Sequence, residues 1–161
     1  MHRFNRVTGV VGAAVLIAGV ASGCSGRNHA GGSGLIPTGA YVQQPAATGE
    51  STVGYLDIRN NGSADTLTSV TTSVGGKVEL RGPVSAGHSP IIMHTVPSIP
   101  LPAGETTQLI PNSFHLLISG AGPMHDGKDI QLTLRFAHGS PITVNALVTN
   151  PQNGGSSYFL N

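Results

Sequence analysis

Residues 129–148 read DIQLTLRFAHGSPITVNALV. Ile130, Leu132, Leu134 and Phe136 occupy every second position of the first run, and Ile142, Val144 and Ala146 do the same in the second. A period of two places each set on one face of a strand, because successive side chains in extended backbone point to opposite sides. His138-Gly139-Ser140 lies between the runs and reads as a tight hairpin turn. Two long strands with one buried face each predict a sheet that closes over a core.

Further toward the N-terminus the pattern repeats with shorter strands. In STVGYLDIRN, Leu56 and Ile58 alternate with Tyr55, Asp57 and Arg59, and Asn60-Asn61-Gly62 supplies turn residues. Thr66–Val74 alternates more loosely, Gly75-Gly76 breaks it, and KVELR (77–81) is a short strand. Strands are also expected over 91–96, 106–110 and 114–119, with loops at 82–90 and 120–128. The 23 Gly and 11 Pro leave no stretch after residue 35 with a sustained helical period. The fold class is therefore all-β, a single-domain sandwich or Greek-key barrel over residues 40–149. Eight Lys plus Arg oppose seven Asp plus Glu, and only 9% of residues are charged. That balance supplies no field to hold nucleic acid or another polyanion.

Residues 1–24 have the parts of an export signal: His2, Arg3 and Arg6, then VTGVVGAAVLIAGV, then small residues before Cys24. The segment Ala21-Ser22-Gly23-Cys24 resembles the lipobox of bacterial lipoproteins, which implies an acylated Cys24 as lipid attachment site and a protein held on the outer face of the cell membrane. The apolar run is short for a span of about 20 residues and is interrupted by Gly9, Gly12 and Gly19. Residues 25–39, small and polar at their start, are expected to form a flexible tether, and 150–161 a disordered tail. His29 in the tether carries no functional weight. Cys24 is the single cysteine, so no intrachain disulfide forms and no thiolate is left in the domain.

The candidate chemistry lies in residues 93–115, MHTVPSIPLPAGETTQLIPNSFH, which set a thioether and an imidazole at the ends of one hairpin-like excursion with a Pro-rich corner. Alternation turns His115 away from the face buried by Phe114, Leu116 and Ile118, and puts Met93 on the opposite face from His94. Thioether sulfur with imidazole nitrogen, in an exported domain without thiolates, suits Cu(I). A Ser119, His115, Asp126 triad can be written down, but no nucleophile elbow or oxyanion motif accompanies it, and catalysis is not expected.

VGYLDIRNNGSADTLTSVTTSVGGKVELR (53–81), the V-x-x-I-x-L-P-A-G pattern from Val96 to Gly104, L-x-P-x-x-F-H-L-L from Leu109 to Leu117, and QLTLRF (131–136) together resemble the periplasmic copper chaperones called PCu(A)C. The resemblance spans about Ala40 to Val148. It implies a cupredoxin-like fold, Cu(I) bound through a His, Met, His, Met set, and delivery of copper to a recipient such as cytochrome oxidase. Met93 and His115 keep the family spacing of twenty-one intervening residues. The first His is replaced by Arg81, with one extra residue before Met93, and the last Met by Leu117. Arginine stays protonated and has no acceptor, and leucine has no lone pair. His88 and His94 are the candidates to complete a site with Met93 and His115, while Met124, beside His125, is expected to pack in the core. The resemblance thus supports a membrane-anchored copper chaperone, and the two missing ligands support a lipoprotein of the same fold that has lost metal binding and serves as an interaction or envelope module.

Overall fold

A computed structural model describes residues 34–83, 92–150 and 152. The expected export signal, Cys24, residues 25–33 of the expected tether, His88 and the C-terminal tail apart from Asn150 and Gln152 lie outside the described residues. Among the described residues ten strands are formed: β1 Leu35–Gln43, β2 Thr52–Asn60, β3 Asp65–Thr72, β4 Lys77–Pro83, β5 Met93–Thr95, β6 Ile99–Leu101, β7 Thr106–Leu109, β8 His115–Ser119, β9 Asp129–Phe136 and β10 Ile142–Thr149.

All ten belong to one sheet, in the order β5-β4-β8-β2-β1-β10-β9-β3-β6, with β7 paired to β2. The sheet curls because β2 divides its outer edge between two partners. Thr52–Gly54 pair with β8, and Leu56–Arg59 pair with β7. The β9–β10 hairpin has the expected form, antiparallel with Leu134 opposite Ile142. Ile130, Leu132, Leu134 and Phe136 are all buried, as are Leu56 and Ile58 of β2 and Leu116 and Ile118 of β8. Each fully buried Leu or Ile contributes roughly 1.5–3 kcal/mol of gross transfer energy, so this inner face supplies the main stabilisation.

Three features depart from the sequence reading. Strand β1 begins at Leu35, inside the segment assigned to the tether, and pairs Leu35–Thr38 with Asn60–Asp57. Its alternation is hidden by Pro37 and by a register shift between Thr38 and Tyr41, where Gly39 takes φ 60°. The Pro-rich corner contains a strand, β6, whose Ile99 and Leu101 are buried against the core. Pro100 is tolerated there because β6 ends the sheet order and an edge strand can spare a donor. Finally, residues 93–115 do not form a hairpin. The amide of Val96 still bonds to Leu80 O at 2.9 Å, but Pro97 has no N–H to continue the ladder. The chain then crosses to β3 as β6, returns along β2 as β7, and enters β8 with β4 lying between it and β5.

Asn60 fastens the corner where these crossings meet. It is 1% exposed. Its Nδ2 donates to Ser63 O and to Leu101 O, each at 2.8 Å, and its Oδ1 accepts from Gly62 N at 2.9 Å. Its backbone bonds to Glu105 O and Gly104 N on the turn between β6 and β7. One buried amide therefore ties β2, the β2–β3 turn and the end of β6.

Candidate functional site

Strands β5, β4 and β8 carry the candidate residues on one shared face. The register sets Thr95 opposite Arg81 and Arg81 opposite His115, with Met93 opposite Pro83 and Leu117 opposite Glu79. Residues two apart share a side of the sheet, so Met93, Thr95, Glu79, Arg81, His115 and Leu117 all project outward. The opposite side of β8 is fixed by burial of Leu116 and Ile118. Gly82 fixes β4 against β8, because a Cβ there would stand 2.7 Å from the Phe114 ring. Only glycine lets that ring lie over the β4 backbone just before His115.

Met93 and His115 thus share a face but belong to strands separated by β4. Two strand spacings amount to roughly 10 Å. Arg81 stands on the strand between them and reaches toward β5. Its Nη1 donates to Thr95 Oγ1 at 2.9 Å and its Nη2 donates to Met93 O at 2.8 Å. Thr95 Oγ1 in turn donates to Glu79 Oε2 at 2.9 Å, while Lys77 Nζ donates to Glu79 Oε1 at 2.6 Å. Arg81 Nη1 also lies 3.7 Å from Glu79 Oε2. The hydrogen bonds from Lys77 and Thr95 hold the Glu79 carboxyl below the usual range, with Arg81 adding to the effect. This ladder was partly legible as the K-x-E-x-R alternation of residues 77–81, which puts three charges on one side of a strand. The part played by Thr95 required the register.

His115 is half-buried, and its Nδ1 lies 3.0 Å from Ser113 O. A carbonyl only accepts, so Nδ1 carries the proton of this bond, and in the neutral ring the lone pair is then on Nε2. On the side away from Arg81 the ring faces Tyr55, centroids 6.3 Å apart, and Tyr55 faces Tyr41 at 5.1 Å. Burial raises both tyrosine pKa values, helped by Asp57 for Tyr41 and by Tyr41 for Tyr55. Both phenols therefore stay neutral near pH 7 and supply no anionic oxygen ligand.

Of the other sequence candidates, His88 lies outside the described residues, and His94 and Met124 are not gathered here. His94 is exposed on β5 opposite Gly82, on the reverse face from Met93. Met124 is 5% exposed within the apolar core, as expected for packing. The residues written as a triad do not assemble: His115 Nδ1 bonds to Ser113 O, Asp126 accepts from Asn150 N, and Ser119 pairs with Ser51. Among the described residues, no three His, Cys, Asp or Glu side chains group to hold a metal ion.

Comparison with known proteins adds four findings. A family model described as "Putative lipoprotein LpqE-like" matches residues 38–148. A protein of Leifsonia xyli subsp. xyli (strain CTCB07), described as "Putative lipoprotein Lxx21020", is 27% identical over 127 residues, covering 78% of this chain and 75% of that protein. Among solved structures, the apo PCuAC domain from PmoF1 superposes with a TM-score of 0.63 at 20% identity, covering 73% of this chain and 95% of that one. The solution structure of CuI-DR1885 from Deinococcus radiodurans gives a TM-score of 0.58 at 24% identity, covering 71% of this chain and 77% of that one. The curled all-strand architecture is thus the cupredoxin-like PCuAC fold anticipated from the sequence.

Proposed function

The chain belongs to the LpqE-like lipoprotein family, and from that premise we propose that it is an exported, lipid-anchored, non-catalytic module that keeps the copper-chaperone fold without carrying copper on the β5-β4-β8 face. One observation carries this reading: the guanidinium of Arg81 bridges Met93 O and Thr95 Oγ1 from β4, the strand that separates the two surviving donors. A permanent cation there repels a second one. The remaining donors, Met93 sulfur and His115 Nε2, are a strand apart on either side of it, and Leu117 adds none. The signal-like N-terminus and the lipoprotein relatives support attachment through Cys24, with the folded domain held off the membrane by the intervening residues.

A second reading is favoured by the shared outward face of Met93 and His115 and by the tautomer that leaves Nε2 of His115 available. In it the protein is a Cu(I) chaperone, weaker than a four-ligand one, with His88 as third ligand and delivery to a recipient such as cytochrome oxidase.

Competition for Cu(I) against a chelator separates the two. The full chain should carry Cys24→Ser, since an unacylated thiolate would itself take the soft ion. No one-to-one retention of Cu(I) is expected. Retention of one ion, lost in Met93→Leu and His115→Ala, would establish the chaperone reading instead. Membrane fractionation of the same Cys24→Ser chain should find it released from the membrane, and persistent attachment would contradict the anchor.

A further inference from the structure

We infer that Arg81 is a built-in substitute for a bound cation: its guanidinium clamps the edge strand β5 to β4 beside His115, in the place where position 81, Met93 and His115 would otherwise converge on a metal ion. The inference rests on the proposed absence of copper carriage and names what takes the ion's place.

The register supplies the geometry. Position 81 lies on the central strand of three, directly opposite His115 on one side and Thr95 on the other. Directly opposite residues have Cβ atoms about 5 Å apart, and the diagonal neighbour, here Met93, about 7–8 Å. A donor at 81 would thus lie nearer to Met93 and to His115 than they lie to each other. Everything on the face turns on the side chain at that one position.

The guanidinium has the features of a fixed charge rather than a wandering surface one. Its side chain is 26% exposed. Nη2 holds a backbone carbonyl of the neighbouring strand and Nη1 holds a hydroxyl whose own proton goes to Glu79. Glu79 is itself engaged by Lys77 and lies near Arg81, so the cation has a counter-charge on its own strand. Strand β5 is only three residues long and stands at the end of the sheet. A strand so short, with one neighbour among the described residues, gains attachment from the bond between Arg81 and Met93 O beyond its backbone pairing with β4. The guanidinium therefore does two things that a coordinated ion would do: it places positive charge on the strand between the donors, and it fastens β5. The face stays closed without an ion to load or lose.

Two variants of the full Cys24→Ser chain test this. Arg81→His puts an imidazole between His115 and Met93. It should retain one Cu(I) against a chelator that strips the parent, and the gain should disappear when Met93→Leu or His115→Ala is added. Arg81→Ala should remain copper-free but loosen β5, with hydrogen exchange at the Val96 amide, which bonds to Leu80 O, accelerated by roughly tenfold. A folded Arg81→His chain that fails to retain Cu(I), or unchanged Val96 exchange in Arg81→Ala, would overturn the inference. If instead the parent binds Cu(I) through His115, the functional reading beneath it fails, and that result is distinct from either.

Discussion

Two polar networks of similar size hold different parts of this molecule, and their surroundings give them different work. Around Asn60, one side-chain amide makes three bonds in a place closed to solvent. Around Arg81, a guanidinium, a hydroxyl, a carboxylate and an ammonium are linked in series on an open face. Water can replace a lost partner on the open face but not at Leu101 O in the corner, so the first network weighs more on stability and the second on what the face can bind.

The largest effect should come from the buried side. Asn60→Leu leaves Leu101 O, Ser63 O and Gly62 N without their partner, and buried polar groups left unpaired cost about 1–3 kcal/mol each. With the last two only part-buried, a loss of roughly 3 kcal/mol is expected. Denaturant unfolding measures it, and a loss below about 1 kcal/mol would show that the corner does not depend on this amide.

An intermediate case lies at the β9–β10 turn. The side chain of Asp65 is 7% exposed and accepts from the backbone N–H groups of Thr66, His138 and Gly139, and its Oδ1 lies 3.2 Å from His138 Nδ1. Burial alone would raise its pKa, but these bonds outweigh it and the folded value is lowered. A lowered folded pKa stabilises the protein above the ordinary carboxylate pKa, and that contribution is lost as pH falls through the folded value. Melting temperature should therefore fall on acidification below about pH 4, with a shallower acid limb in Asp65→Asn. Parallel limbs would remove Asp65 as a source of the acid sensitivity.

The smallest stability effect belongs to Arg81. Its removal breaks partly exposed bonds only, and Arg81→Ala should cost no more than about 1 kcal/mol globally. A loss as large as that of Asn60→Leu would erase the contrast between the networks.

What could be read from the sequence follows the same division. The core strands announced themselves because burial on one face forces alternation, as in Ile130 to Phe136. Strand β6 and the start of β1 did not, since Pro97, Pro100 and Pro102 suggested a bare corner, and Pro37 with Gly39 masked a strand that bulges between Thr38 and Tyr41. At the site, the residue types were visible: Met93 and His115 at the family spacing, Arg81 and Leu117 where ligands were due. Their arrangement was not, because the position of β4 between β5 and β8 is a matter of topology. Reading residues 93–115 as a hairpin brought the two donors together, and the observed strand order puts Arg81 between them.

The most direct test of that placement watches the imidazole itself. In nitrogen-detected spectra of the histidine rings of the full Cys24→Ser chain, the signals of His115 should keep the Nδ1–H tautomer and stay in place when one equivalent of Cu(I) is added beside a competing chelator. A shift of His115 Nε2 at one equivalent, accompanied by movement of the Met93 methyl signal, would contradict the account and return copper to the face that Arg81 now occupies.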